Sequence, residues 1–258
     1  MQALRHLPVL FAAVFTASAA VPNFSGVWKL NPEKSKMANA PHGTTLVVLT
    51  QEGDKLTETN GTIGGPRPPV RQVWQYDLSG KDTRNIVRGV PLKTHVTVEG
   101  DAAVAESTGP SSMPSNVHEK FWLSENGQEL HVERTGKMFG RDMNETLVFD
   151  KQPESEGEVL RGPEKTAGEV EKNVKLLKDL PYSQFLNTMA SFNTALGVRC
   201  DFCHEEGNFA SDAKQTKLIA RKMIEMTHGI NQTYFNGHME VGCYTCHRGS
   251  EQPHRMPQ

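Results

Sequence analysis

The stretch "EKFWLSENGQELHVERT", residues 119–135, holds two short apolar runs on either side of Asn126-Gly127. Both "EKFWLS" (119–124) and "ELHVERT" (129–135) have the alternation and composition of β-strands. Asn-Gly suits a two-residue type I′ turn, which needs positive φ angles at both positions. The stretch therefore predicts an antiparallel hairpin.

Similar runs occupy the chain on both sides of this hairpin, so residues 21–150 are expected to form one β-domain. About nine short strands with turn signals between them predict a meandering antiparallel sheet, closed as a barrel or folded as a sandwich. Closure removes exposed edges and favours the barrel. The other seven runs are "FSGVWKL" (24–30), "TTLVVLT" (44–50), "DKLTETN" (54–60), "VRQVWQYDL" (70–78), "LKTHVTVEG" (92–100), "AAVAEST" (102–108) and "ETLVFD" (145–150).

The segment "NFSGVWKLNPEKSK" (23–36) resembles the opening of small lipocalin-like barrels in exported bacterial proteins. In those barrels a Gly-x-Trp element, here Gly26-Val27-Trp28, places a Trp across one end. The resemblance implies an interior that could hold an apolar ligand, although small barrels are often filled by side chains.

The first twenty residues, "MQALRHLPVLFAAVFTASAA", have the pattern of a secretory signal peptide. Arg5 precedes an apolar run, and small residues follow it at 17–20. The run is too short for a bilayer, which needs about 20 residues; a buried N-terminal helix is the alternative. We expect a soluble protein that is periplasmic or otherwise exported, with no transmembrane segment after signal cleavage. The net charge of −2 offers no field for nucleic acid.

After a polar linker at 151–165, "KQPESEGEVLRGPEK", the apolar period becomes helical, and 166–258 is expected to be a second domain. Three helices are predicted, at 166–180, 183–196 and about 212–235. Ser183 is expected to cap the second helix and Gly197 to end it. The third carries an apolar stripe of Ile219, Met223, Met226 and Ile230.

All four cysteines of the chain lie in two Cys-x-x-Cys-His boxes, within "VRCDFCHEEG" (198–207) and "VGCYTCHRGS" (241–250). Two thiols at this spacing can form thioethers with the two vinyl groups of a haem, and the adjacent histidine can ligate the iron. One structural zinc, a redox dithiol and two disulfides are the alternatives. The two boxes favour two covalently attached haem c groups, bound by Cys200, Cys203, Cys243 and Cys246 and ligated by His204 and His247.

The helical region, with "NVKLLKDLPYSQFLNTMASFNTALGVRCDFCH" and "VGCYTCHRG", resembles the haem units of the photosynthetic reaction centre cytochrome c subunit. In that family the helix before a box often supplies methionine as the distal ligand. The resemblance implies Met189 for the first haem and Met226 for the second. Met223, His228, His238 and Met239 are alternatives for the second iron, as is a remote ligand or an open position.

Together these observations predict an α+β multidomain protein: an N-terminal lipocalin-like antiparallel β-barrel followed by a mainly α-helical dihaem c-type cytochrome domain. The expected activity is one-electron transfer with redox partner proteins, since His/Met ligation leaves no position for substrate. Two alternatives remain: a dihaem peroxidase or reductase with one open iron, and a haem-bearing module whose barrel binds a ligand.

Overall fold

The computed structural model describes residues 22–37, 41–111 and 113–253, so the expected signal peptide lies outside the described residues. Its first part is a ten-stranded antiparallel sheet, which confirms the predicted antiparallel β-structure. The strands are β1 Gly26–Leu30, β2 Thr44–Glu52, β3 Lys55–Ile63, β4 Gln72–Asp77, β5 Thr83–Val87, β6 Val90–Glu99, β7 Ala102–Thr108, β8 Asn116–Leu123, β9 Glu129–Met138 and β10 Arg141–Gln152.

The sheet curls into a nearly closed barrel. Sequential strands pair as hairpins, and β1 pairs with β10, which leaves β4 and β5 as the two ends of the hydrogen-bonded order. Side chains join these ends. The Asn85 amide on β5 accepts from the Gln75 N–H at 2.7 Å and donates to the Gln75 carbonyl at 3.0 Å. The Asn85 side chain thus provides the pair of bonds that a neighbouring backbone would otherwise supply.

Alternate residues of the strands point inward and fill the barrel, as the two-residue period dictates. Trp28 and Phe24 are fully buried in this core, and the Trp28 indole N–H donates to the Phe24 carbonyl at 3.2 Å. The interior cavity has a volume of only 30 Å³, room for about two waters. The barrel interior is therefore a packed core in this structure, without space for a lipid-sized apolar ligand.

Two details of the barrel differ from expectation. The 119–135 hairpin forms, but only Gly127 has a positive φ, at 66°, and its N–H donates to the Ser124 carbonyl at 2.8 Å. This is a longer loop built on a type I turn instead of a two-residue type I′ turn. Strand β5, "TRNIV", was not predicted, because its central inward residue is the buried Asn85.

The segment 151–165, predicted as the linker, is packed against the barrel. After β10 it forms a 3₁₀ turn, Glu154–Gly157, and the short helix α1, Glu158–Arg161. Leu160 is 2% exposed and lies in a cluster with Val27, Leu46 and Val48 on the outer face of the sheet. One apolar side chain gives no periodicity, so the sequence did not reveal this contact.

The remaining helices are α2 Ala167–Val170, α3 Tyr182–Leu196, α4 Cys200–Cys203, α5 Gln215–Tyr234 and α6 Cys243–His247. The predicted helices at 183–196 and 212–235 are confirmed as α3 and α5, and Gly197 ends α3 in the left-handed region, at φ 67°.

The predicted helix at 166–180 is wrong, because only α2 forms there. Asn173 takes a positive φ of 61°, and the Gly168 N–H donates to the Lys178 carbonyl, so the chain doubles back.

Helix α3 is held directly on the barrel. The Ser183 hydroxyl accepts from the Arg71 N–H at 2.6 Å and donates to Glu164, so Ser183 is a tether and not the predicted cap, which is Pro181. Further along, Ser191 lies against Gly89 in the β5–β6 turn, where a Cβ would come within 2.9 Å of the Ser191 Cβ. Met189 lies about 200° around the helix from Ser191 and so faces away from this contact.

Candidate functional site

The two Cys-x-x-Cys-His boxes fold alike. Each is a single helical turn, α4 or α6, that starts directly after a residue in extended conformation, Arg199 or Gly242. A helical turn places residues three apart on the same side. The two thiols of each box are therefore presented side by side, and all four cysteines are free and partly or fully exposed.

Both histidines have their Nδ1 atom committed to a backbone carbonyl. His204 Nδ1 lies 3.1 Å from the Phe209 oxygen, and His247 Nδ1 lies 3.0 Å from the Ser250 oxygen. A carbonyl can only accept, so each Nδ1 carries the proton and each Nε2 keeps a free lone pair for a metal.

Burial favours the uncharged forms of His204, Cys203 and Cys243. Burial lowers the pKa of His204, and the nearby Lys217, Arg221 and Lys214 charges lower it further. Burial also raises the pKa of the Cys203 and Cys243 thiols. Neutral imidazole is the form that binds iron.

The start of α5 and the residue before it hold the chain around the first box. The Thr216 hydroxyl donates to the Phe202 carbonyl at 2.6 Å, and the Lys214 ammonium donates to the Asp201 carbonyl. Lys217 Nζ donates to the carbonyls of Phe209, at 2.8 Å, and Ser211. These bonds fix both the helical turn of the box and the loop that orients His204.

The second box is held from two directions. Asn231, near the end of α5, is 3% exposed, and its side chain binds the backbone of residues 240 and 241 just before the box. After the box, the Gly249 N–H donates to the Ala195 carbonyl at the end of α3. A Cβ at Gly197 would lie 2.2 Å from the Gly249 oxygen, so the close approach of α6 to α3 requires glycine at 197.

The buried face of α5 is polar, which sequence reasoning missed. Lys217 and Asn231 are both buried and lie about four turns apart, on one side of the helix. In the predicted apolar stripe, Ile219 and Met226 are each 47% exposed. The spacing of Lys217 and Asn231 in the sequence could have indicated this buried face, but polar residues ordinarily mark the face of a helix that is exposed to solvent.

The helical region offers apolar surface that its own packing does not use. The hydrophobic core clusters among the described residues lie in the barrel and against α1. On α3 the predicted ligand Met189 is half-buried, as are Phe185 and Phe192, while Met226 on α5 is half-exposed. Amphipathic helices with unburied apolar faces, beside paired thiols and a free Nε2, fit a flat apolar group with an iron at its centre.

The thiols do not gather into one metal site. Among the described residues, no three His, Cys, Asp or Glu side chains come together as a possible metal cluster. The two boxes are separate units, which argues against the single zinc site that the cysteine count alone would permit.

Comparison with known proteins gives a family likeness for the C-terminal half. The model of the photosynthetic reaction centre cytochrome c subunit matches residues 138–257. The subunit from Thermochromatium tepidum is 41% identical over 91 residues, covering 34% of this chain and 22% of that protein. The subunit from Roseobacter denitrificans is 37% identical over 169 residues, covering 61% of this chain and 43% of that protein. This chain thus spans less than half the length of the relatives it matches.

Three further likenesses are weaker. Cytochrome c-554 from Chloroflexus aurantiacus is 33% identical over 85 residues, covering 30% of this chain and 20% of that protein. Among solved structures, fatty-acid-binding protein 1 from Echinococcus granulosus has a TM-score of 0.38 and 13% identity, covering 50% of this chain and 98% of that one. A secretory abundant heat soluble protein from Ramazzottius varieornatus has a TM-score of 0.39 and 16% identity, covering 50% and 95%.

Proposed function

We propose that this chain is a dihaem c-type cytochrome that transfers single electrons. The observation that carries the proposal is the duplicated geometry of α4 and α6: a side-by-side thiol pair followed by a histidine whose Nδ1 is tied to a carbonyl. The likeness to reaction centre cytochrome subunits over residues 138–257 supports it.

Each box would hold one haem. Addition of each Cys S–H across a vinyl group forms a carbon–sulfur bond and moves the thiol hydrogen to the other vinyl carbon, without any net redox change. His204 and His247 would supply the proximal Nε2 ligands. The bound iron supplies the ferric–ferrous couple, and the protein sets its potential through ligands, burial and charge.

Met189 and Met226 are the proposed distal ligands. The position of Met189 on the side of α3 that faces away from the barrel contact supports this role. Thioether ligation raises the reduction potential of a haem iron. Met226 is on the half-exposed apolar stripe of α5, where a covering haem would bury it.

We further propose that residues 1–20 direct export to the periplasm, that 21–150 and 166–258 act as two domains, and that redox partner proteins exchange electrons with the haems. Among the described residues, none of the helices combines the length and hydropathy needed to cross a bilayer.

The haem count tests the proposal directly. Intact mass and a pyridine haemochrome assay, on protein made with a cytochrome maturation system, should show two covalent haems. The double variant C200A/C203A should carry one, as should C243A/C246A, and the quadruple variant none. A wild-type protein that gains no haem mass would refute the proposal.

The same preparations test the first distal ligand. Met189→Ala should open one iron, so the reduced protein should bind carbon monoxide at about half of its haems, while the wild type should not. Met143→Ala, on β10 of the barrel, is the control. Equal carbon monoxide binding by wild type and Met189→Ala would remove Met189 from the ligand set.

A further inference from the structure

The carbonyl that orients His204 has a second donor. The Phe209 oxygen accepts from His204 Nδ1 at 3.1 Å and from the Lys217 ammonium at 2.8 Å. Lys217 is 8% exposed, and its other contacts are the Ser211 carbonyl at 2.7 Å and an Asp212 oxygen at 3.2 Å. With three partners for its three N–H bonds, this ammonium is fixed in place.

The positive charge of Lys217 is incompletely neutralised. Asp212 is its acidic partner, but the same carboxylate binds Arg221 at 2.9 Å and lies 3.8 Å from Lys175. Three cations thus share one anion beside the first box, and Lys214 adds a further charge on the Asp201 carbonyl.

The second box has a different environment. The Ser250 carbonyl is the partner of His247 Nδ1, and among the hydrogen bonds of the described residues no Lys or Arg side chain donates to that carbonyl. Among the ion pairs of the described residues, none involves a residue after Arg221. The two otherwise similar boxes therefore differ in whether a cation donates to the carbonyl that orients the proximal histidine.

Two physical effects of Lys217 have the same sign. A carbonyl that already accepts from an ammonium is a poorer acceptor for the His204 N–H, so the imidazole is a less basic ligand. A buried positive charge also disfavours ferric iron, which carries one more charge than ferrous iron. Both effects favour the reduced state of an iron bound by His204.

On the basis of the proposed function, we propose that Lys217 is a positioning residue that raises the reduction potential of the first haem through the Phe209 carbonyl. This assigns the two boxes different electrostatic settings and makes the first haem a better electron acceptor than its ligands alone would make it.

Redox titration of the dihaem protein, followed by visible absorption, tests the proposal. Lys217→Met should lower the midpoint of one haem and leave the other unchanged. Outer-shell changes at metal sites are often worth about tenfold, and a tenfold change in the ferrous-to-ferric ratio corresponds to about 59 mV for a one-electron couple. Lys217→Arg, which keeps the charge, should restore most of the shift.

Lys222→Gln is the matched control, because it removes the same charge from an exposed position on the same helix. It should leave both midpoints within error of the wild type. A shift from Lys222→Gln as large as that from Lys217→Met would overturn the proposal, because net charge alone would then account for the effect.

Asp212→Asn provides a test of sign that does not depend on how well Lys217→Met folds. It removes the anion shared by the cations, so it should raise the same midpoint that Lys217→Met lowers. If both haems are attached but Lys217→Met lowers neither midpoint and Asp212→Asn raises neither, the tuning role is wrong and the proposed function stands. If intact mass shows no attached haem, both the tuning role and the proposed function are refuted.

Discussion

At the scale of single residues, the barrel interior contains an ionisable cluster outside the two Cys-x-x-Cys-His boxes. Arg134 on β9 donates to Glu119 on β8 at 2.5 Å and lies 3.5 Å from Glu145 on β10. Glu58 on β3 accepts from the Tyr76 hydroxyl at 3.2 Å. Burial raises the pKa of Glu58 above its ordinary 4.5, and the neighbouring Glu119 carboxylate raises it further.

This raised pKa makes the stability of the barrel depend on pH. In the range above 4.5 and up to the folded-state pKa, the folded protein holds a proton on Glu58 that the unfolded chain releases. The stability from this group is therefore full below 4.5 and is lost as pH rises through the folded pKa.

We predict that Glu58→Gln weakens this dependence. The free energy of unfolding of the wild type should fall as the pH rises above 4.5, by about 1.4 kcal/mol for each unit by which the pKa is raised, and the fall should be smaller in the variant. Urea unfolding at several pH values measures it. Glu133→Gln, at an exposed position on β9, should keep the wild-type slope; an unchanged slope in Glu58→Gln would contradict the prediction.

At the scale of elements, the two units of helix and box differ in the connection between the helix and the box. Only residues 197–199 separate α3 from α4, whereas residues 235–242 separate α5 from α6. The longer connection loses more conformational entropy when it is ordered on folding. Asn231 restrains it by accepting from the N–H groups of Glu240 and Val241 and donating to the Val241 carbonyl at 2.7 Å.

We predict that Asn231→Ala lowers haem attachment at the second box and leaves the first box loaded. Loss of the side chain leaves backbone groups without partners, which costs about 1–3 kcal/mol where they are buried, and it frees the connection. Intact mass should show a one-haem species. Asn231→Asp, which keeps the acceptor, should retain more of the second haem than Asn231→Ala.

Thr188→Ala is the control for Asn231→Ala, since Thr188 stands at the same distance before Cys200 but bonds only to its own helix, at Gln184. Attachment of haem at both boxes in Asn231→Ala would show that the connection forms without the hydrogen bonds of the Asn231 side chain.

At the scale of the whole molecule, Arg71 connects the barrel to the segments that lead into the helical region. Its guanidinium donates to the carbonyls of Gly162, at 2.6 Å, and Val159, at 2.9 Å, while its backbone N–H donates to Ser183. The barrel therefore holds α3, and with it Met189, in a defined position. A supporting role for the barrel agrees with its packed interior.

We predict that Arg71→Ala lowers the free energy of unfolding by about 2 kcal/mol, because it removes charged hydrogen bonds to two carbonyls. It should also speed proteolytic cleavage between residues 153 and 166. Arg84→Ala, at an exposed barrel position, should change neither property. Cleavage at the wild-type rate in Arg71→Ala would mean that Leu160 alone holds the segment.

The sequence by itself determined nine of the ten strands, helices α3 and α5 and the two boxes, because each depends on a local period or motif. Only the tertiary structure decided how Asn85 joins the ends of the barrel, how Leu160 docks, and that α5 buries Lys217 and Asn231 instead of its apolar stripe. These features join residues distant in sequence. A polar side chain is stable in the interior only where the folded chain supplies its partners, and no local pattern records those partners.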